Sequence, residues 1–380
     1  MSQKKRLKNF AKNSRMKKIK KFVKKIPEEV KYIFLLFIST RFALILIGIL
    51  SPLIFRAKIK NLFLDMWAKW DTVYYVRIAS AWYSQQVGGR YGFFPLYPLT
   101  VRIVGKLIHN YYIAGLIVSN VCLILAALFL YKLVKLDYDK ETSLKSIKYL
   151  FLFPTAFLFS CILSESLFLF LLIACFYYAK KENWLVSGIF GFFTALTRPV
   201  GAFIVFPLFY LYLKTKDFKI RNIRPSILFL LLIPLGAFLF GCYSYYLTGD
   251  FFAYVHIKEK WRHTLTNPIT LLYTSIFSNN PAIVFNAVFA IGVFILIFLT
   301  CRKVGFTYSS LAFILMIVPL FSGSSALTGL ARYALVAFPL FISLALLFKN
   351  RKNDEMLTIF LVLLQGALSA IYNSSRLLIR

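Results

Sequence analysis

Acidic residues are scarce: the 380 residues hold 14 Asp and Glu against 46 Lys and Arg, a formal net charge of +32. In a soluble protein that imbalance would point to nucleic acid. Here most of the positive charge sits in short segments between apolar runs, the positive-inside pattern, so no nucleic-acid partner is expected. Cysteine is equally sparse. Cys122, Cys161, Cys175, Cys242 and Cys301 lie in or beside apolar runs without a C-x-x-C pair, which suits packing and supports neither a disulfide framework nor zinc. Of the 3 histidines, His256 and His263 are too poorly spaced on a loop to read as a metal site. The Asp-x-Asp pair, Asp137-Tyr138-Asp139, falls in a lysine-rich connection, so neither metal nor cofactor is expected. Alternating hydrophobicity is missing, which excludes a membrane β-barrel. An internal repeat is missing too, which argues against transporter folds built from repeated halves. No small-residue cleavage site follows the first apolar run, and that run reads as a retained anchor.

What the chain has in abundance is apolar length. It is 59% hydrophobic, with a mean hydropathy of +0.71, and it repeats runs of about 20 apolar residues, enough to cross a bilayer core. Backbone polar groups in lipid must be satisfied internally, so these runs predict an all-α polytopic membrane protein of about eleven transmembrane helices. Residues 1–29 form a basic tail, from Lys4 to Lys25, expected in the cytoplasm and against anionic membrane lipids. Residues 30–380 form one multi-span domain. The first span covers Tyr32 to Phe55 and the second Tyr112 to Val134. The apolar stretch from Tyr149 to Tyr178 reads as two short spans meeting at Glu165, and the stretch from Trp184 to Leu213 as two halves flanking Arg198-Pro199. With the tail inside, an outer loop at about 56–111 and a second at about 248–280 share one face with Glu165, Arg198 and Arg332.

The first outer loop carries the most chemistry. Trp67, Trp70, Tyr74 and Ile78 recur at helical spacing, which predicts one amphipathic helix in the membrane interface. Asp65 and Asp71 are its acids, and a carboxylate held there can take a proton from a hydroxyl. Against this stands the plainer reading of an interfacial helix with two incidental acids. Glu165, between apolar half-spans, is expensive unless paired or solvated. Arg198 and Arg332 offer planar guanidinium forks that match phosphate oxygens, although either can simply snorkel. Arg77 and Arg90 are weaker candidates of the same kind. Arg41, near mid-depth in the first span, is a functional candidate by position, with no partner evident. In the second outer loop His256, Lys258, Glu259, Lys260, Trp261, Arg262 and His263 suit phosphate or sugar contact, or a solvated loop.

Several runs resemble the PIG-V family of GPI mannosyltransferases and its prokaryotic relatives. They are Trp70-Asp71-x-x-Tyr74-x-x-x-Ile78-Ala79, then Phe93-Phe94-Pro95-Leu96-Tyr97-Pro98, Ser164-Glu165-Ser166-Leu167-Phe168, Thr197-Arg198-Pro199-x-Gly201, and Arg332-Tyr333 with Phe338-Pro339-Leu340. The chain departs from the resemblance at Tyr83-Ser84-Gln85-Gln86, where relatives often carry a glutamate. The resemblance implies a GT-C helical bundle. It also implies an inverting enzyme that transfers a sugar, mannose in the family, from a polyprenyl-phosphate donor to a hydroxyl on the outer face. The acceptor is expected to be a glycolipid or polysaccharide, and the membrane the cell membrane, or the endoplasmic reticulum in a eukaryote. Carried onto this chain, Asp71 is the catalytic base, and Asp65, Trp70, Tyr74, Glu165, Arg198 and Arg332 are substrate-binding. The rival class is a transporter or flippase of lipid-linked or anionic substrates, which would place its ionisable groups near the midplane.

Overall fold

The computed structural model describes residues 26–55, 61–83, 90–259, 265–323 and 327–374. The basic tail from Lys4 to Lys25 therefore lies outside the described residues, as do Ser84 to Gln86 and Lys260 to His263. Helices dominate: α1 (Glu28–Ile54), α2 (Leu62–Trp67), α3 (Thr72–Ala81), α4 (Leu96–Ile108), α5 (Tyr111–Val134), α6 (Lys140–Leu152), α7 (Glu165–Lys180), α8 (Trp184–Thr197), α9 (Val205–Thr215), α10 (Leu232–Thr248), α11 (Ala253–Glu259), α12 (Pro268–Ile276), α13 (Pro281–Val304), α14 (Phe306–Leu320), α15 (Leu330–Tyr333), α16 (Pro339–Leu347) and α17 (Arg351–Asn373). No strand occurs among the described residues, and the all-α expectation holds.

Many helix starts follow one chemical rule. The side chains of Asn61, Asn110, Asp139, Asn183, Asn267, Asn280 and Asn350 each accept a bond from an amide in the first turn that follows. Such caps satisfy donors that the helix cannot. Once inside lipid, the helices present narrow faces to one another. In α1 the buried positions Ile33, Thr40, Arg41, Leu44, Gly48, Ser51 and Pro52 recur every three or four residues, while Leu35, Phe42 and Leu53 point outward. Small residues permit close approach: a Cβ on Gly188 would collide with the Phe229 carbonyl and one on Gly191 with Ile233.

Five helical stretches are long and apolar enough to cross a membrane: Glu28–Ile54, Tyr111–Val134, Pro225–Thr248, Pro281–Val304 and Arg351–Asn373. A sixth arises if Leu330–Val336 and Pro339–Leu347, bent by 83°, count together. The remaining apolar helices are shorter or broken. Ion pairs sort the helix ends into two groups. At one end Lys180 pairs with Asp137 (2.7 Å), Lys148 with Asp354 (2.6 Å), Lys216 with Glu182 (2.6 Å) and Lys140 with Glu28 (2.9 Å). The Asp-x-Asp residues belong to this lysine-rich end: Asp137 also accepts from Tyr308 (3.0 Å), and Asp139 caps α6 (2.7 Å). At the opposite end lie the start of α7, the end of α8 and the α2–α3 loop.

Two expectations are corrected at that opposite end. The stretch from Tyr149 to Tyr178 is not a pair of half-spans meeting at Glu165. Pro154 lacks a donor and bars Phe153 from helical backbone, so α6 stops at Leu152, an irregular segment with a 3-10 turn at Ala156–Ser160 follows, and Glu165 opens α7. Nor do Trp67, Trp70, Tyr74 and Ile78 share one helix. The chain breaks between α2 and α3, with Trp70 in the left-handed region at φ 53°.

The irregular segment 153–164 solves a problem that the bilayer sets. Its backbone groups lack a helical ladder, and each unsatisfied one would be costly in lipid. Side chains from surrounding helices take up the task. Gln365 of α17 donates to Phe151 O (3.0 Å) and Phe153 O (3.1 Å). Thr72 of α3 donates to Ile162 O (3.1 Å), and Ile162 N donates to Trp67 O (3.1 Å). Arg41 of α1 donates to Ser160 Oγ (2.7 Å), whose hydroxyl donates to Asn120 of α5 (2.7 Å). Thr155 donates to Ala331 O (2.9 Å) beside Arg332. The segment is thereby sewn to the loop of Asp71, to the α7 start and to α15.

Candidate active site

Four charged side chains meet where these elements converge. Asp71 stands at the break before α3, and its Oδ2 receives Arg332 Nη1 at 2.6 Å. The Nε of the same arginine donates to Glu165 Oε1. Arg198 Nη1 donates to that Glu165 oxygen from the other side, at 2.9 Å. The result is a continuous chain, Asp71–Arg332–Glu165–Arg198, drawn from four separated parts of the sequence. Glu165 is fully buried, Arg332 and Arg198 are 8% and 12% exposed, and Asp71 is open at 32%.

Local backbone chemistry aims each group. Arg198 is extended (φ −153°, ψ 144°), as a residue before proline prefers. The Pro199–Ile204 3-10 turn then folds tightly onto α8, so that a Cβ on Gly201 would lie 2.6 Å from Thr194 O. Glu165, as first residue of α7, sits at the positive end of its helix dipole. Asn286 accepts from Ala331 N (3.2 Å) and fixes the short helix that carries Arg332.

A cleft opens over this chain, lined by Asp71, Tyr75, Gly92, Phe93, Phe94, Thr197, Arg198, Pro199, Arg332 and Tyr333. The Arg198 guanidinium lies 5.4 Å from the Tyr333 ring centroid, a cation–π contact that holds it in the wall. Tyr75 donates to Ser164 Oγ (2.9 Å), next to Glu165. Burial, aided by the Glu165 and Asp71 carboxylates, pushes its phenol above the ordinary range and keeps it a neutral donor. Guanidinium groups, a carboxylate and aromatic rings line the cleft together, which suits a ligand with an anionic group and a sugar face.

Of the residues singled out in the sequence, Asp71, Glu165, Arg198 and Arg332 come together and Asp65, Trp70 and Tyr74 do not line the cleft. Asp65 Oδ2 accepts from Asn61 N (3.2 Å) at the start of its own helix. Trp70 packs edge-on against Tyr372, with centroids 4.8 Å apart. Tyr74 stacks on Phe93 at 4.9 Å and so supports the wall from behind. Arg90 donates to Trp82 O (2.7 Å), and Arg77 is exposed on α3. In the second loop His256 Nδ1 lies 2.6 Å from Asp250 Oδ2. The side chains of Lys258 and Glu259 and residues 260–264 are outside the described residues. Tyr75, Phe94 and Tyr333 were not foreseen. Tyr75 stands four residues after Asp71, one helical turn along the same face, and that spacing was the signal that could have found it. Among the described residues, no group of three or more His, Cys, Asp or Glu side chains is placed to hold a metal ion.

The architecture has counterparts among solved structures. ArnT from Cupriavidus metallidurans, bound to undecaprenyl phosphate, superposes with a TM-score of 0.52 at 10% identity, over 90% of this chain and 76% of that one. The apo oligosaccharyltransferase of Archaeoglobus fulgidus gives 0.49 at 13% identity, over 90% of this chain and 56% of that one. The same archaeal enzyme, AglB, with an inhibitory peptide and a dolichol-phosphate, gives 0.45 at 11% identity over 92% and 56%. The chain thus spans little more than half the length of the archaeal enzyme. No curated protein matches it in sequence. The likeness to ArnT is one of fold, and it agrees with the GT-C helical bundle expected from the sequence. Residues 32–214, just under half of the chain, match the family described as Mannosyltransferase (PIG-V). That match takes in Asp71, Glu165 and Arg198.

Proposed function

We propose that this protein transfers a sugar, mannose by its family, from a polyprenyl-phosphate donor to a hydroxyl of a glycolipid or polysaccharide, with inversion at the anomeric carbon. The observation that carries the reading is the Asp71–Arg332–Glu165–Arg198 chain beneath an aromatic-lined cleft at one end of a membrane bundle. The undecaprenyl phosphate bound to ArnT supports a lipid-phosphate donor.

In this reading Asp71, the most open of the four groups, takes the proton of the acceptor hydroxyl. The acceptor oxygen forms a bond to the anomeric carbon, the bond from that carbon to the phosphate oxygen breaks, and the electron pair leaves with the phosphate. The departing phosphate gains negative charge, which guanidinium groups already in place stabilise without reorganising. Arg198 and Arg332 serve that purpose, and Glu165 holds both in register. Phe93, Phe94 and Tyr333 offer flat faces to the sugar and shield the reacting atoms from water. The positive-inside pattern supports a cytoplasmic lysine-rich end and an outer-face cleft in the cell membrane.

Purified protein in detergent, given labelled undecaprenyl phosphomannose and membrane glycolipid, should form a mannosylated product. Asp71→Asn should lower the rate by roughly 10²–10⁴-fold, the usual worth of a general base, with donor binding retained. Undiminished transfer by that variant would remove Asp71 from the mechanism. Transbilayer movement of the lipid by wild type without sugar transfer would establish the flippase reading instead.

A further inference from the structure

The four site charges cancel in pairs: Asp71 and Glu165 against Arg332 and Arg198. A further buried charge, on α1, has no paired carboxylate among the described residues. Arg41 is only 7% exposed, in the middle of α1. Its Nη1 donates to Ser160 Oγ (2.7 Å) and, at 3.5 Å, to Ala156 O. Its Nε and Nη2 have no hydrogen-bond partner, and no carboxylate pairs with it among the described residues. A buried ion without a counter-ion is among the costliest arrangements a bilayer protein can hold. Holding the Ser160 hydroxyl requires only a neutral donor, so the retained charge calls for another explanation.

Arg41 adjoins the catalytic floor. Ser160 is followed by Cys161, whose Sγ lies 3.5 Å from Tyr372 Oη. The Tyr372 ring packs on Trp70, the neighbour of Asp71. Ser160 itself stands five residues before Glu165, across the bend at 161–164.

We infer that Arg41 is a charge-balancing residue, whose buried positive charge next to Ser160 favours the dianionic phosphate that transfer releases over the monoanionic donor. The inference rests on the glycosyl-transfer reading above. A polyprenyl phosphodiester carries one negative charge. During transfer the acceptor proton moves to Asp71, the bond to the phosphate oxygen breaks, and the monoester that leaves carries two negative charges. A fixed positive charge nearby offsets part of that gain at the phosphate. Without Arg41 the dianion suffers most, because it carries more of the charge that Arg41 attracts.

The test compares affinity for undecaprenyl phosphate, the dianion, with affinity for undecaprenyl phosphomannose, the monoanion, in the full-length protein. Arg41→Gln removes the charge and keeps a donor. Asn120→Asp keeps Arg41 and places a carboxylate one hydroxyl away, through Ser160. Both should lower the preference for dianion over monoanion about tenfold, the scale of a nearby charge in a protein interior. Arg41→Lys and Ser160→Ala, which keep the charge, should leave that preference as in wild type. A purely structural brace would weaken both ligands alike, and Ser160→Ala would resemble Arg41→Gln. An unchanged preference in Asn120→Asp overturns the inference even if Arg41→Gln does not fold. Failure of wild type to bind either lipid or transfer sugar would instead sink the reading on which it rests.

Discussion

At the residue scale, the site is governed by one carboxylate that serves two cations. Glu165 is fully buried and holds Arg332 and Arg198 on a single oxygen, while its Oε2 has no partner. Removing its charge strands two guanidinium groups, and breaking such a buried pair costs about 3–5 kcal/mol. Glu165→Gln should therefore lower the melting temperature in detergent as well as abolish transfer, whereas Asp71→Asn, at a more open carboxylate, should leave melting nearly unchanged. Parallel melting curves of the two variants check this, and equal destabilisation would contradict the different burial. Arg198→Ala should lower kcat at least as much as it raises the KM for donor, because Arg198 faces the cleft and meets charge that grows as the phosphate departs. Unchanged donor kinetics would reduce Arg198 to an anchor in the wall.

At the element scale, the sequence made some things plain and concealed others. Asp71, Glu165, Arg198 and Arg332 were legible because ionisable residues are rare amid apolar runs, and each such residue needs a reason. Asp65 was grouped with them as an acid of the same loop, and Trp70 and Tyr74 by the resemblance and by a helical periodicity that assumes a helix that persists. The left-handed backbone at Trp70 breaks it, and no local residue announced the break: glycine, asparagine or aspartate would have, but tryptophan does not. The irregular segment was hidden for another reason. Its composition is as apolar as a span, and only Pro154 marks it. Its stability comes from polar side chains far away in sequence. Gln365→Leu should destabilise the protein by about 1–3 kcal/mol, the usual penalty for stranded buried acceptors, because Phe151 O and Phe153 O lose their donor. Thermal unfolding beside Gln365→Glu, matched in size, would check it, and a leucine variant as stable as wild type would show that the carbonyls find other donors.

For the whole molecule, the two-ended distribution of charge is the dominant feature. Lysines pair with acids at one end, and the Asp71 cleft occupies the other. In a cell this predicts opposite accessibility for two exposed positions. Val73→Cys, beside the cleft, should react with an impermeant maleimide in intact cells, and Leu136→Cys, at the lysine-rich end, only after permeabilisation. Both positions are exposed, at 41% and 43%, and the variants belong in a background with Cys242 and Cys301 replaced by serine. Labelling of Leu136→Cys from outside would invert the topology and put the cleft in the cytosol.

The stitched segment 153–164 has a bearing on how the protein is made and lost. Most helices of a membrane protein can insert one by one and assemble afterwards. This stretch has only a short 3-10 turn of its own, so its shape depends on α1, α3, α5 and α17 standing around it. The spacing between Asp71, Glu165 and Arg332 is therefore settled by assembly rather than insertion. On warming, a slight loosening between neighbours should cut the stitches while every helix stays wound, and sugar transfer should fail at a temperature where the circular-dichroism signal is still intact.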